Sequence, residues 1–224
     1  MLRINLKKNI VMKSKLIAIS MILLMGCSST RLVSTWKNPD IVLFDAYQVL
    51  VVGMVQDDNA RMEYETKFVE ALKEQGVDAV RSMDLFDVEF TSTERSEKEL
   101  EEVEQQLLDK GFDAILFTKV VGTENRRTFK EHINDVDKML MRFTNDYLEH
   151  QEIYYDPEYY DTFNIYHSET SLYCICVGKE IELIWRGEVD VTEPDNVNKA
   201  IDSYIKLVTK SMGEEDVIFN SKAP

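Results

Sequence analysis

Residues 47–121 alternate short apolar runs with longer amphipathic stretches, and this alternation limits the possible folds more than any other feature of the chain. Residues 47–55 are almost continuously apolar and rich in β-branched side chains, which is typical of a strand covered on both faces. Residues 77–81 and 113–121 have the same character. Strand, helix, strand, helix and strand at this spacing predict parallel strands joined by right-handed crossovers.

The two helices between these strands carry their own start and stop signals. The Asp-Asp-Asn run that begins at Asp57 can cap a helix that ends at Gly76. Ser96 and Glu99 have the spacing of a capping box, which opens a second helix that ends at Gly111. Each helix has apolar residues three and four positions apart, which predicts one face against the sheet. These residues are Tyr64, Phe68 and Leu72 in the first helix and Leu100, Val103 and Leu107 in the second.

The other segments predict antiparallel strands and a closing helix. Residues 31–36 alternate enough for a first strand, and residues 162–177 and 180–191 for two long strands that turn at Gly178. A last helix with one apolar stripe ends at Gly213. We therefore predict a single α/β domain whose mixed sheet, a parallel βαβαβ part plus antiparallel C-terminal strands, is flanked by helices. The inward stripe of the last helix consists of Val197, Ile201, Tyr204 and Val208.

Residues 1–26 predict an export signal rather than a part of the fold. They combine a basic start with an apolar run at residues 16–25, which is too short to span a bilayer, since a helix needs about 20 residues for that. Residues 24–27 read Leu-Met-Gly-Cys and resemble a bacterial lipobox, the motif in which a diacylglycerol is attached to the cysteine before cleavage. The resemblance implies that Cys27 is lipidated and that the folded domain comprises residues 27–224.

The residue after the cysteine predicts where the protein is sorted. In the lipoproteins that this leader resembles, Asp at that position holds the protein in the inner membrane, whereas Ser releases it to the outer one. Ser28 occupies the position here, and no acidic cluster follows Cys27. We expect a lipid anchor at the periplasmic face of the outer membrane, with translation starting at Met1 or Met12.

The acidity of the chain excludes one class of partner. The sequence has 26 basic and 41 acidic side chains. Residues 1–26 hold five of the basic ones and no acidic one, so the chain from Cys27 onward has 21 basic against 41 acidic residues and a net charge of −20. A field of this sign repels phosphates. Nucleic acid is therefore not an expected partner.

The sequence carries no specific catalytic signature. The loop after residues 47–55 lacks the glycines of a nucleotide-binding loop, and two acidic residues stand where a phosphate would bind. No Gly-x-Ser-x-Gly elbow occurs. His132, His150 and His167 lack the spacing of a zinc site. We expect no catalytic residue, no metal site and no cofactor.

Two cysteines remain after Cys27. Cys174 and Cys176 lie two positions apart in a predicted strand, so both point to one face, a geometry that opposes a disulfide bond between them. No nearby His or Cys completes a metal or redox site. We interpret Cys174 and Cys176 as small buried residues of a strand.

Residues 123–162 form an acidic, tyrosine-rich insertion in the domain. Apolar residues three and four apart between Ile133 and Tyr147 predict a helix that packs onto the domain. Tyrosines combine apolar area with a polar tip, and acidic neighbours suit a basic partner. The alternative is that these tyrosines cover an exposed sheet edge. The predicted partner-binding residues are Tyr147, Tyr154, Tyr155, Tyr159, Tyr160 and Tyr166.

Four segments carry a pattern shared with known proteins. Residues 34–39 read Ser-Thr-Trp-Lys-Asn-Pro, and residues 183–187 read Leu-Ile-Trp-Arg-Gly. Between them lie Tyr-Gln-Val-Leu-Val-Val-Gly-Met at 47–54 and Glu-Thr-Ser-Leu-Tyr at 169–173. Together these segments resemble an uncharacterised family of Gram-negative outer-membrane lipoproteins. The resemblance implies an envelope protein without assigned catalytic residues. We interpret the two tryptophans, Trp36 and Trp185, as core aromatics of paired strands.

These observations predict a non-catalytic, lipid-anchored envelope protein that acts as an interaction or assembly module. Two alternatives stay open. One is a binding protein for a small cationic or neutral envelope ligand, which would use the tyrosines and acidic residues of the insertion. The other is an envelope hydrolase whose site consists of carboxylates that no motif reveals.

Overall fold

The computed structural model of the protein describes residues 30–122, 142–156, 165–175, 182–192 and 196–217. Six strands form one sheet and six helices flank it in this part of the chain. The strands are β1 (Thr30–Lys37), β2 (Gln48–Met54), β3 (Asp78–Arg81), β4 (Ala114–Gly122), β5 (Ile165–Cys174) and β6 (Glu182–Thr192). The helices are α1 (Asp58–Glu74), α2 (Val88–Ser92), α3 (Glu97–Asp109), α4 (Phe143–His150), α5 (Glu152–Tyr155) and α6 (Val197–Glu214), and a 3-10 turn spans Ser82–Asp84.

The sheet has the order β1-β6-β5-β4-β2-β3. Strand β2 pairs in parallel with both β3 and β4, whereas β4, β5, β6 and β1 pair antiparallel in turn. This arrangement confirms the predicted fold class, a mixed sheet with a parallel part and antiparallel C-terminal strands. Cys174, at the end of β5, is buried as expected, but it takes part in a disulfide bond, which corrects its interpretation as a plain buried thiol. Its partner cysteine lies outside the described residues.

The predicted helix signals act as the sequence suggests. The Asp57 carboxylate accepts a hydrogen bond from the Ala60 backbone N–H at 2.7 Å and so caps α1. Ser96 and Glu99 form the reciprocal bonds of a capping box at the start of α3. Gly76 and Gly111 follow the two helices with φ values of 83° and 86°, a conformation that favours glycine.

One predicted helix end is off by one residue, and another predicted helix is confirmed in part. Gly213 is the next-to-last residue of α6, which ends at Glu214, and the residue with positive φ beyond that helix is Asp216, at 57°. The described part of the helix predicted between Ile133 and Tyr147 is α4, which begins at Phe143 and packs onto face B. Ile133 itself lies outside the described residues, as does the predicted turn at Gly178.

Each face of the sheet has its own core. Face A is the side covered by α1 and α6, and face B is the side covered by α3, α4 and α5. Strand β4 shows the division, because Ala114 and Leu116 belong to the face A cluster and Ile115 and Phe117 to the face B cluster. The central strands are therefore buried on both sides, as their continuous apolar sequences indicate.

Trp185 and Gly187 explain one of the sequence patterns. Trp185 is fully buried on face A, and its indole Nε1 donates a hydrogen bond to Glu215 at 3.1 Å. A Cβ at Gly187 would lie 2.3 Å from the indole ring, so this position needs glycine for space. Trp36 is half-buried against the face B cluster. Both tryptophans pack in the core, as interpreted from the sequence.

Within the described stretches of the chain, no helix combines the length and the apolar character that crossing a bilayer requires.

Replacing Phe68 by Ala tests the assignment of α1 to face A. The Phe68 side chain is fully buried, so Phe68→Ala should lower the free energy of unfolding by about 3–5 kcal/mol through lost burial and a residual cavity. Met62 lies on the same helix and is 47 % exposed, so Met62→Ala should change it by less than about 0.5 kcal/mol. Denaturant melts measure both values, and equal effects would contradict the assignment.

Candidate functional site

An apolar pocket of about 160 Å³ opens on face A, at the end of the sheet where β2, β4 and β6 end and β5 begins. Its walls come from the first turns of α1 and α6 and from the sheet between them. The first turn of α1 contributes Ala60, and α6 contributes Ile201. Val55, Val120 and Val191 line the sheet side. The lining is almost wholly apolar, which suits an apolar ligand group better than a charged one.

Four hydroxyl groups form a hydrogen-bonded row across the sheet below this pocket. The Tyr64 hydroxyl bonds Thr118 Oγ1, which lies 2.6 Å from Thr170 Oγ1. Thr170 Oγ1 in turn lies 2.6 Å from the Tyr204 hydroxyl. Burial raises the pKa of both tyrosines, so the row is neutral and its members satisfy one another. The row therefore provides neither a charge nor an activated nucleophile to the pocket.

Val197 at the start of α6 departs from the sequence prediction. It belongs to the apolar stripe of the helix and was expected to point inward, but it is 52 % exposed. Tyr204 and Val208, further along the stripe, are buried, and Ile201 is half-buried. The apolar stripe of α6 is therefore buried along most of its length and exposed at Val197, where the helix borders the pocket.

A buried charge network lies on the opposite side of the sheet. On face B, the carboxylate of Asp146 in α4 forms ion pairs with Lys119 of β4 and with Arg186 of β6, whose Nη2 lies 2.9 Å from Asp146 Oδ2. Glu169 of β5 lies 3.2 Å from the Lys119 ammonium and 3.7 Å from Arg186 Nη1. The Tyr173 hydroxyl donates a third bond to Asp146. Two cations thus face two carboxylates in the core.

The cations of this network favour the ionised forms of its two carboxyls. Burial alone would raise the pKa of Asp146, but Lys119 and Arg186 outweigh burial and hold it well below its ordinary value. The same two cations lower the pKa of Glu169 against the effect of burial. A general acid at neutral pH needs a raised pKa instead. The network ties α4 to three strands through ion pairs.

A second polar group on face B surrounds His167. Its Nδ1 lies 2.9 Å from Asp190 Oδ1, and its Nε2 lies 4.0 Å from Glu188 Oε2. The Ser34 hydroxyl donates to the same Glu188 oxygen at 2.8 Å rather than to the histidine. This geometry differs from a serine nucleophile bonded to its base. No cluster of three or more His, Cys, Asp or Glu side chains in the described ranges is arranged to hold a metal ion.

Sequence reasoning missed both polar groups on face B, although one signal was present. Arg186, Glu188 and Asp190 alternate with Gly187, Val189 and Val191 along β6. A period of two places all three charged residues on one face of a strand, next to the charged residues of β5. Their burial could not be predicted, because it depends on partners distant in the sequence, Asp146 for Arg186 and His167 for Glu188 and Asp190.

The structure separates the predicted partner-binding tyrosines. Tyr147 is 3 % exposed and packs against the rings of Phe117 and Phe143, so it is corrected from a surface residue to a core residue. Tyr154 is half-buried and donates a hydrogen bond to the Gly53 carbonyl at 3.2 Å. Both residues contact the domain, but neither covers an edge strand of the sheet, which the alternative interpretation of the tyrosines expected.

The other tyrosines differ in accessibility. Tyr155 is 38 % exposed, and Tyr166 is half-buried as part of the pocket lining. Tyr159 and Tyr160 lie outside the described residues. Their predicted role in partner binding stays a prediction.

Replacing Asp146 by Asn tests the charge network. The change should lower the free energy of unfolding by about 3–5 kcal/mol at pH 7, because Lys119 and Arg186 lose a buried counter-charge. The folded-state pKa of Asp146 lies below its unfolded value, so its stabilisation is complete above about pH 4 and declines as the pH falls further. The difference between wild type and Asp146→Asn should therefore shrink in acid.

Urea melts from pH 7 to pH 2.5 measure this difference. Asp202→Asn is the matched control, because Asp202 pairs with Lys67 at the surface and its loss should change stability little at any pH. A constant difference between wild type and Asp146→Asn across the whole range would contradict the network.

Comparisons with known proteins assign no family to the chain. No protein-family model matches it. No curated protein matches it either. Among solved structures, a PelC dodecamer from Paraburkholderia phytofirmans is similar with a TM-score of 0.41 and 9 % identity, over 84 % of this chain and 98 % of that one. The lipoprotein GNA1162 from Neisseria meningitidis is similar with a TM-score of 0.35 and 13 % identity, over 74 % and 98 %. Similarities this distant do not assign a function.

Proposed function

We propose that the chain is a non-catalytic lipoprotein, anchored through Cys27 at the periplasmic face of the outer membrane, that acts as an interaction or assembly module. The observation that carries the non-catalytic part is the pairing of the buried charges on face B. Asp146 and Glu169 are each held ionised by Lys119 and Arg186, which gives them a structural role. This pairing also weakens the alternative of a hydrolase with a carboxylate site.

The short distance between the anchor and the fold supports a role next to the membrane. Strand β1 begins at Thr30, three residues after Cys27. Three residues span at most roughly 11 Å when fully extended. A domain tethered in this way stays within reach of other molecules at the membrane surface.

The exposed part of the insertion supports a basic partner. Tyr155 is 38 % exposed, and its pKa is raised by burial and then by the neighbouring charges of Glu94 and Glu152. A partly exposed aromatic ring among carboxylates provides apolar contact area, while the acidic surroundings attract positive charge. Tyr159 and Tyr160 extend this proposed surface along the sequence.

A binding protein for a small ligand is the second candidate, and the pocket on face A favours it. Its apolar walls and its neutral row of hydroxyls suit a neutral, apolar ligand group. Among the described residues that line the pocket none is a carboxylate, so these residues favour the neutral form of this alternative over the cationic one.

Replacing Cys27 by Ser tests the anchor. Two acyl chains are about what stable membrane anchoring requires, so Cys27→Ser should leave an unprocessed or soluble periplasmic protein. Ser28→Asp is the matched control, because it keeps the cysteine and should move the protein from the outer to the inner membrane. Membrane fractionation with immunoblotting measures both outcomes. Equal recovery of Cys27→Ser in the outer membrane would refute the anchor.

Replacing Tyr155 by Ser tests the partner surface. Tyr155→Ser should reduce capture of the partner from solubilised envelopes and leave the melting temperature nearly unchanged, because the side chain is exposed. Tyr154→Ser is the contrasting variant. It removes the bond to Gly53 and the contact with the Arg61 guanidinium 5.0 Å away, and should cost about 1–3 kcal/mol of stability. Undiminished capture by Tyr155→Ser would exclude it from the partner surface.

A further inference from the structure

The start of β1 lies beside the apolar pocket. Thr30, the first residue of β1, pairs with Val191 of β6, and Val191 lines the pocket. Thr30 is 5 % exposed, and Leu32, two positions further on the same side of the strand, packs against the face A cluster. The chain therefore enters the fold at the pocket, on the face where the pocket opens.

The size and lining of the pocket suit an apolar group. Its volume of about 160 Å³ is well above the roughly 10–15 Å³ that a cavity needs to hold one water molecule. The uncovered end of the α6 stripe, with Val197 exposed and Ile201 half-buried, stands at its edge. An apolar group entering here would cover the exposed part of this stripe. The four hydroxyls of the row below are already bonded to one another, so such a group would leave none of these four without a partner.

We propose that this pocket binds one of the acyl chains carried by Cys27. The inference rests on the proposed lipidation of that residue. Three residues separate Cys27 from Thr30, so the lipid is attached within roughly 11 Å of the strand that borders the pocket. The short tether raises the effective concentration of the chain at the pocket, which favours this occupant over a free lipid.

Occupation of the pocket would change how strongly the protein is anchored in the membrane. Two acyl chains anchor a protein stably, whereas a single chain gives only marginal and reversible binding. With one chain in the pocket, one chain of the diacylglycerol is left for the bilayer. Occupation of the pocket would therefore make membrane binding more reversible than anchoring by both chains.

Binding of cis-parinaric acid, a fluorescent fatty acid, tests this proposal on the full mature chain. The Cys27→Ser protein, produced from residue 27 onward so that the apolar leader is absent, has no lipid of its own, so its pocket should bind the probe. In the same detergent, the lipidated protein should bind the probe about tenfold more weakly, because its own chain competes. In the Cys27→Ser protein, Ala60→Trp should fill the pocket and reduce probe binding about tenfold, whereas Met62→Trp, on the exposed side of the same helix, should leave it unchanged.

Val197→Asp is a second test of the pocket, which stays valid if the Ala60→Trp variant does not fold. Val197 is exposed at the pocket edge, so the change leaves the core intact and should weaken probe binding about fivefold. Absence of probe binding to Cys27→Ser would overturn the proposal, as would equal binding by the Cys27→Ser and lipidated proteins. The mass of the protein extracted from membranes reports separately on lipidation. A mass without the diacylglycerol would refute the anchor itself, whatever the probe shows.

Discussion

The carboxylate of Asp146 is the contact on which the arrangement of face B depends. Its two oxygens bind cations from different strands, Lys119 on β4 and Arg186 on β6. Without Asp146, the counter-charge that the described residues leave to Lys119 and Arg186 is Glu169, in an environment that penalises unpaired charge. Because Asp146 comes from α4, these ion pairs favour one position of the helix on the sheet. The aromatic packing around Tyr147 then follows from this position.

The two faces of the sheet bury their polar side chains in different ways. Along β4 and β5, neighbouring positions alternate between the hydroxyl row on face A and the ion pairs on face B. Thr118 and Thr170 point to face A, and Lys119 and Glu169 point to face B. A neutral row can lie below an apolar cavity without a large desolvation cost, whereas the ion pairs need the cover of a helix. This explains why the cavity opens on face A while α4 packs on face B.

The parallel half of the fold could be predicted because its signals are local. The capping box of Ser96 and Glu99 and the positive-φ glycines Gly76 and Gly111 depend on neighbours in the sequence. The misjudged residue, Tyr147, shows the limit of such reasoning. It is part of the apolar stripe of a helix and also of a tyrosine-rich segment, and composition alone could not decide between core and surface.

The candidate pocket could not be predicted from the sequence either, because it does not depend on local signals. The apolar stripe of α6 predicts that Val197 is covered, and it cannot show that the helices α1 and α6 leave a space at that point. A cavity is a property of the distance between elements, which depends on all the packed residues below it. The exposed Val197 is therefore the residue whose sequence pattern and position disagree, and such disagreement is typical of binding sites.

The first two residues of β1 fix the direction in which the chain enters the fold. Thr30 is buried beside Val191 on face A, and the Arg31 guanidinium binds Asp190 on face B at 2.8 Å. Contacts on both faces restrict the start of the strand. If Cys27 carries the proposed lipid, three residues earlier, the end of the sheet that contains the pocket would be the end next to the membrane. The opening of the pocket and the proposed acyl chains would then lie on the same side of the domain, so a chain could pass between them without rotation of the domain.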